Sequence, residues 1–227
     1  MERSESGRER GRARGLDRRA WALAAAATAF GCVYFFVRQY FKDGVWRFDA
    51  TLVNKSLGVA ALLLIALSMF LTGWGYFSRR PGQSLALRKP YGLAGFWLGL
   101  LHGAADHLLL PVLGLEAELK AGAGPAELTG WAALALFGLM TLVSNEGARR
   151  AIGNGAWRLF LRYAGYAGLV LAAAHAALLK GGSWSRYFRT FESVLPSLSL
   201  FVFALAAAAV LLRLAVWIAE RRKKGGV

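Results

Sequence analysis

"LGVAALLLIALSMFLTGWGYF", residues 57–77, runs for 21 residues without a charged side chain. An α-helix rises about 1.5 Å per residue, so a run of roughly 20 apolar residues is what a hydrocarbon core about 30 Å thick demands. Five further apolar runs lie near residues 20–37, 91–113, 128–145, 159–179 and 195–217. The whole chain of 227 residues is 56% hydrophobic, above the roughly 45–50% of an ordinary soluble domain. The pattern predicts an all-α membrane protein, a six-transmembrane-helix bundle.

The net charge of +15 would suit a nucleic-acid partner if the cations formed one patch. They fall between the apolar runs instead, and unevenly. One set of segments carries the N-terminal arginines, then Arg79, Arg80, Arg88 and Lys89, then Arg149, Arg150 and Arg158, and finally Arg221 to Lys224. The alternate set carries fewer cations. Basic residues accumulate on cytoplasmic loops, so both termini are expected in the cytoplasm, with lipid and not nucleic acid as the surrounding partner.

Residues 1–18 are charged and contain Gly and Ser, which predicts a disordered basic cytoplasmic tail. Residues 19–220 form one membrane domain, and 221–227 a second basic tail. The first run lacks a small-residue cleavage site followed by a polar start, so it reads as a retained helix and not a signal peptide. Cys32 is the sole cysteine and reads as a packing residue. Pro90 is expected in the first turn of span three, where a missing N–H costs nothing. Residues 114–127 form a short acidic, Gly-rich outer loop. "KGGSWSRYFRTFESVLP", residues 180–196, is the longest outer connection of the second half and is expected along the interface. No loop carries a G-x-G-x-x-G or P-loop pattern.

The costly residues lie within the spans. "GLLHGAADHLLLP", residues 99–111, holds His102, Asp106 and His107, and "LVLAAAHAALL", residues 169–179, holds His175, the remaining histidine. Ionisable groups inside a membrane default to functional candidates. His102 and Asp106 are four apart and share a helix face. His107 is five from His102, well round the helix and about 7.5 Å further along, which disfavours a compact His-Asp-His metal site on this helix alone. Spans three and five are both expected to run from inside to outside, and equal depth along them pairs His107 with His175 and leaves His102 roughly 7 Å deeper. The Gly and Ala around each histidine allow close helix packing, or clear room for a flat ligand such as haem, gripped by one histidine from each of two helices. Histidines that only hydrogen-bond between helices, as in a structural or assembly subunit, or a His/Asp proton relay in a transporter, are the other readings.

Two segments resemble the ferric-reductase-like transmembrane family, which includes the haem-binding membrane subunit of the periplasmic methionine-sulfoxide reductase system. The resemblance covers roughly residues 50–180. In "LRKPYGLAGFWLGLLHGAADHLLL", residues 87–110, a basic loop, a Gly and an aromatic-rich stretch lead to "LH", and His102 falls on the family's haem ligand. In "SNEGARRAIGNGAWRLFLRYAGYAGLVLAAAH", residues 144–175, the family has a histidine, a Tyr four later and a histidine thirteen after the first; here stand Arg162, Tyr166 and His175.

The resemblance implies haem b with His102 and His175 as axial ligands, His107 the rival of His102, and Asp106 orienting an imidazole N–H. Arg162 replaces the inner histidine, which leaves a second haem open; the arginine either meets a haem propionate or snorkels to the interface. The implied activity is electron transfer across a bacterial inner membrane, from a cytoplasmic flavin reductase or quinol to a periplasmic reductase or a ferric chelate. Flavin or quinone would then come with a partner.

Overall fold

The decisive run becomes the centre of the molecule. In a computed structural model, which describes residues 2–78, 81–114, 124–191 and 194–225, it forms most of helix α2 (Ala50–Phe77). Asp49 starts this helix: its carboxylate accepts the Leu52 N–H at 3.0 Å and the Thr51 hydroxyl. Partial burial pushes that carboxyl up, but Thr51, the Leu52 N–H, Arg47 and Lys55 outweigh it and hold Asp49 below the usual carboxylate range. Leu64, Ala60 and Ala66 of α2 have no exposed surface. Over half of its apolar window (56%) is buried, more than in any other span, which makes α2 the hub.

Around it stand α1 (Glu2–Asp43), α3 (Pro81–Ala104), α7 (Asn154–Thr190) and α8 (Leu198–Gly225), while α5 (Pro125–Val143) packs chiefly on α7. Lipid tails are as apolar as leucine, so these contacts depend on shape, and small residues set the closest ones. A Cβ on Gly95 of α3 would stand 2.7 Å from Ile65 and 3.0 Å from the Ala61 carbonyl of α2. One on Gly168 of α7 would meet the Phe137 ring of α5 at 2.8 Å. Among the described residues six helices are long and apolar enough to cross a membrane, and together they make an all-α multi-pass bundle.

Four local expectations change. The border expected at residue 18 is not a structural break, because α1 begins at Glu2; Arg and Glu cost a helix little, and extending a helix already formed avoids its costly nucleus. Likewise α8 continues through Arg221 to Gly225, with the Arg221 guanidinium 3.8 Å from the centre of the Trp217 ring. Pro90 lies inside α3, not in its first turn; beside it the Ser68 hydroxyl of α2 donates to the Arg88 carbonyl at 2.7 Å. Residues 180–190 are not a connection but the end of α7. Trp184 explains this: it is buried, donates its indole N–H to Ser199 Oγ at 3.2 Å and packs on Phe203 of α8. That anchoring outweighs the intrinsic cost of Gly181 and Gly182, about 1 kcal/mol each. Most of the acidic loop expected at 114–127 lies outside the described residues.

α3 does not end cleanly. Residues Ala105–Leu109 form a π-helical turn, in which Leu110 N–H reaches back five residues to the Ala105 carbonyl, before the short helix α4 (Leu110–Val112). Pro111 supplies the cause, because its ring crowds the carbonyl four residues earlier, that of His107. The helix takes in an extra residue rather than breaking. Such turns are frequent at functional sites.

Candidate functional site

All three histidines line one cavity of about 560 Å³ between α2, α3, α5 and α7, near the end of the bundle that holds the α1–α2 and α7–α8 connections. This volume lies in the ordinary range for small-molecule sites, about 300–1,000 Å³. Its apolar walls include Ala61, Leu62, Leu134, Phe137, Ala172 and Ala176.

His102 of α3 is half-buried, and its Nδ1 lies 3.0 Å from the Asn54 main-chain carbonyl and 2.9 Å from Asn54 Oδ1. A carbonyl only accepts, so Nδ1 is the protonated nitrogen, and in the neutral ring the lone pair sits on Nε2. His175 of α7 repeats the arrangement: its Nδ1 lies 2.7 Å from the Ala126 carbonyl at the start of α5. A glycine stands against each ring. A Cβ on Gly58 would be 3.0, 3.1 and 3.1 Å from Nε2, Cδ2 and Cε1 of His102. These near-equal distances place the α2 backbone over the flat of the imidazole and not across its lone pair. A Cβ on Gly130 would be 2.8 Å from His175 Nδ1 and 3.1 Å from Cε1.

Asp106 also lines the cavity, and its contact with the imidazole system runs through Asn54, whose amide donates to Asp106 Oδ1 at 3.3 Å. One buried asparagine thus accepts from His102 and donates to Asp106. His107 reaches the cavity because the widened turn brings it round, where a regular α-helix would hold it further away. It is more exposed than His102, tilts against Trp131 with ring centres 5.1 Å apart, and sets its Nε2 3.7 Å from Glu127 Oε1. Near the mouth stand Arg38, with its Nε donating to the Leu195 carbonyl at 3.1 Å, and the pairs Lys42–Asp43 and Arg47–Asp49 at 3.4 and 3.3 Å. Among the described residues, no three or more His, Cys, Asp or Glu side chains converge on a metal-ion site.

Arg162 and Tyr166 do not join the histidines. Arg162 lines a second cavity, of about 430 Å³, toward the opposite end of the bundle. Tyr166 packs against the core, its hydroxyl 3.5 Å from the Met69 carbonyl. Ile65 and Phe137 line both cavities and separate them.

Asn54, Gly58, Glu127, Gly130 and Trp131 belong to the site and escape a reading centred on histidine. A usable signal does exist in α2: Asn54, Gly58 and Ala61 recur at spacings of four and three, one polar-and-small stripe on a largely apolar helix. No protein-family model matches the chain, and none of the curated proteins is significantly similar to it.

Proposed function

We propose that this chain is a b-type haem membrane protein that carries electrons toward the end of the bundle bearing the three histidines. The observation that supports this most is the matched treatment of His102 and His175. Each donates its Nδ1–H to a main-chain carbonyl, and each has a glycine close against its ring at the same cavity. Metal-bound histidines characteristically give their second ring N–H to such an acceptor, which fixes the tautomer. The donor set therefore fits a haem, which His102 and His175 would hold among the apolar walls. His102 is preferred to His107, whose Nε2 faces the Glu127 carboxylate. Arg38 suits a propionate, because a guanidinium retains further N–H groups after one is used. When bound, the group would supply one-electron chemistry; the chain holds, orients and desolvates it.

The proposed setting is the bacterial inner membrane with both termini cytoplasmic. A cytoplasmic flavin reductase or quinol would be the donor, and a periplasmic reductase or ferric chelate the acceptor. Protein purified from haem-replete cells should show a b-type Soret band with reducible α and β bands. Folded, colourless protein would sink the proposal. His175→Ala should abolish haem retention, and His102→Ala should be far more damaging than His107→Ala.

The chain His102–Asn54–Asp106, with His107 and Glu127 nearby, favours one second reading: a proton relay. In that case colourless protein in liposomes would dissipate a pH gradient, and Asp106→Asn would stop it.

A further inference from the structure

We infer that the second cavity binds the headgroup of an anionic phospholipid, independently of any haem. Its lining joins Arg88 and Lys89 from α3, Arg149 from the short helix α6 (Glu146–Ile152), and Arg158 and Arg162 from α7. Arg158 and Arg162 are four apart and share one helix face. Against these five cations the described lining residues set one carboxylate, Glu146, and it is already 2.7 Å from Arg149. Gathering like charges beside a low-dielectric core is costly unless an anion occupies the space between them. The cluster is therefore built for a ligand with several oxygens, and arginine forks suit phosphate.

The remainder of the lining decides which phosphate. Beyond the cations the walls are apolar, with Leu93, Phe96, Phe137, Met140 and Leu161. α3 and α5 touch each other sparsely, which leaves a crevice between them. Trp157 also lines the cavity, its indole N–H donated to the Val143 carbonyl at 2.8 Å, and tryptophan marks the membrane–water boundary. An anionic head above an apolar body at that depth describes a phospholipid, and basic pockets between membrane helices recognise such headgroups. A free phosphate shares the head chemistry and has nothing to place in the crevice.

The test is native mass spectrometry of the full chain in detergent, titrated with phosphatidylglycerol, phosphatidylcholine or inorganic phosphate. One phosphatidylglycerol should be retained per chain, and phosphatidylcholine should be held at least tenfold more weakly. Arg158→Gln/Arg162→Gln should lower phosphatidylglycerol affinity at least tenfold, while Arg221→Gln/Arg222→Gln, on the basic end of α8, should leave it unchanged. If the double variant fails to fold, Lys89→Gln replaces it, at an exposed position, with an expected drop of about threefold. Equal retention of the two lipids, undiminished binding in Arg158→Gln/Arg162→Gln or Lys89→Gln, or displacement by millimolar inorganic phosphate would each overturn the inference. Bound haem does not enter the readout, so the two proposals fail separately.

Discussion

Replacing Gly130 by alanine tests the histidine site with one methyl group. The new Cβ would lie 2.8 Å from His175 Nδ1, about 0.6 Å short of the 3.4 Å at which ordinary contact begins. The imidazole has little freedom to give way, because Nδ1–H is held to the Ala126 carbonyl at 2.7 Å, on the same helix as the added methyl. A retreat of that size stretches the bond to roughly 3.3 Å, past the usual range of N–H···O bonds, and turns Nε2 away from its aim. Overpacking of this kind costs about 1–3 kcal/mol. Charged to haem retention, this is a loss of about 5- to 150-fold in affinity. The assay is the Soret absorbance of purified protein during titration with a competing apo-haem protein. Gly138→Ala is the control, since its Cβ would meet Phe96 at an ordinary 3.6 Å and should leave retention unchanged. Equal retention in Gly130→Ala and Gly138→Ala would refute the argument that the glycine seats the imidazole.

Three further outcomes follow from the geometry. Asn54→Leu should cost about 1–3 kcal/mol in unfolding experiments, because Asp106 loses its amide donor; His102 keeps the main-chain carbonyl at position 54, and adding Asp106→Ala should recover much of the loss. Asp49→Ala removes the cap of α2 and should cost about 0.5–2 kcal/mol near neutral pH. Since the folded carboxyl sits below its ordinary value, its contribution is full above the unfolded value, about 3.9, and fades as pH falls through the folded one; denaturant curves of wild type and variant should converge in acid. Gly182→Ala should raise stability by about 1 kcal/mol, because its Cβ would meet nothing within 4 Å in a helical segment; a thermal midpoint that falls would show that residues 180–190 are not helix.

The spans are legible because hydrocarbon thickness imposes a minimum apolar length on all of them, and runs such as 57–77 meet it. The exclusion of Asn54 from that reading has an equally plain cause. A lone asparagine near a helix start is ordinary, and only the fold sets it against His102 and Asp106. Pro111 reads as a stop, but its effect in the structure falls upstream, where the widened turn changes the direction of His107. The length of α7 is hidden for the opposite reason: a Gly-Gly pair and three cations look like a loop, and one tryptophan packed on another helix overrides them. Arg162 and His175 lie on one helix but line different cavities, which their spacing alone does not reveal.

The wall shared by the two cavities, at Ile65 and Phe137, bears on the membrane voltage. When solvent or a charged ligand fills the space on either side, each cavity takes the potential of the compartment it opens toward. The potential difference then falls mostly across the residues between the cavities, and not across the full hydrocarbon slab. A unit charge passing that layer gains or loses close to the whole transmembrane energy, about 2.3 kcal/mol per 100 mV. Movement within either cavity is nearly insensitive to voltage. Ile65 and Phe137, which line both cavities, lie where that drop would be steepest.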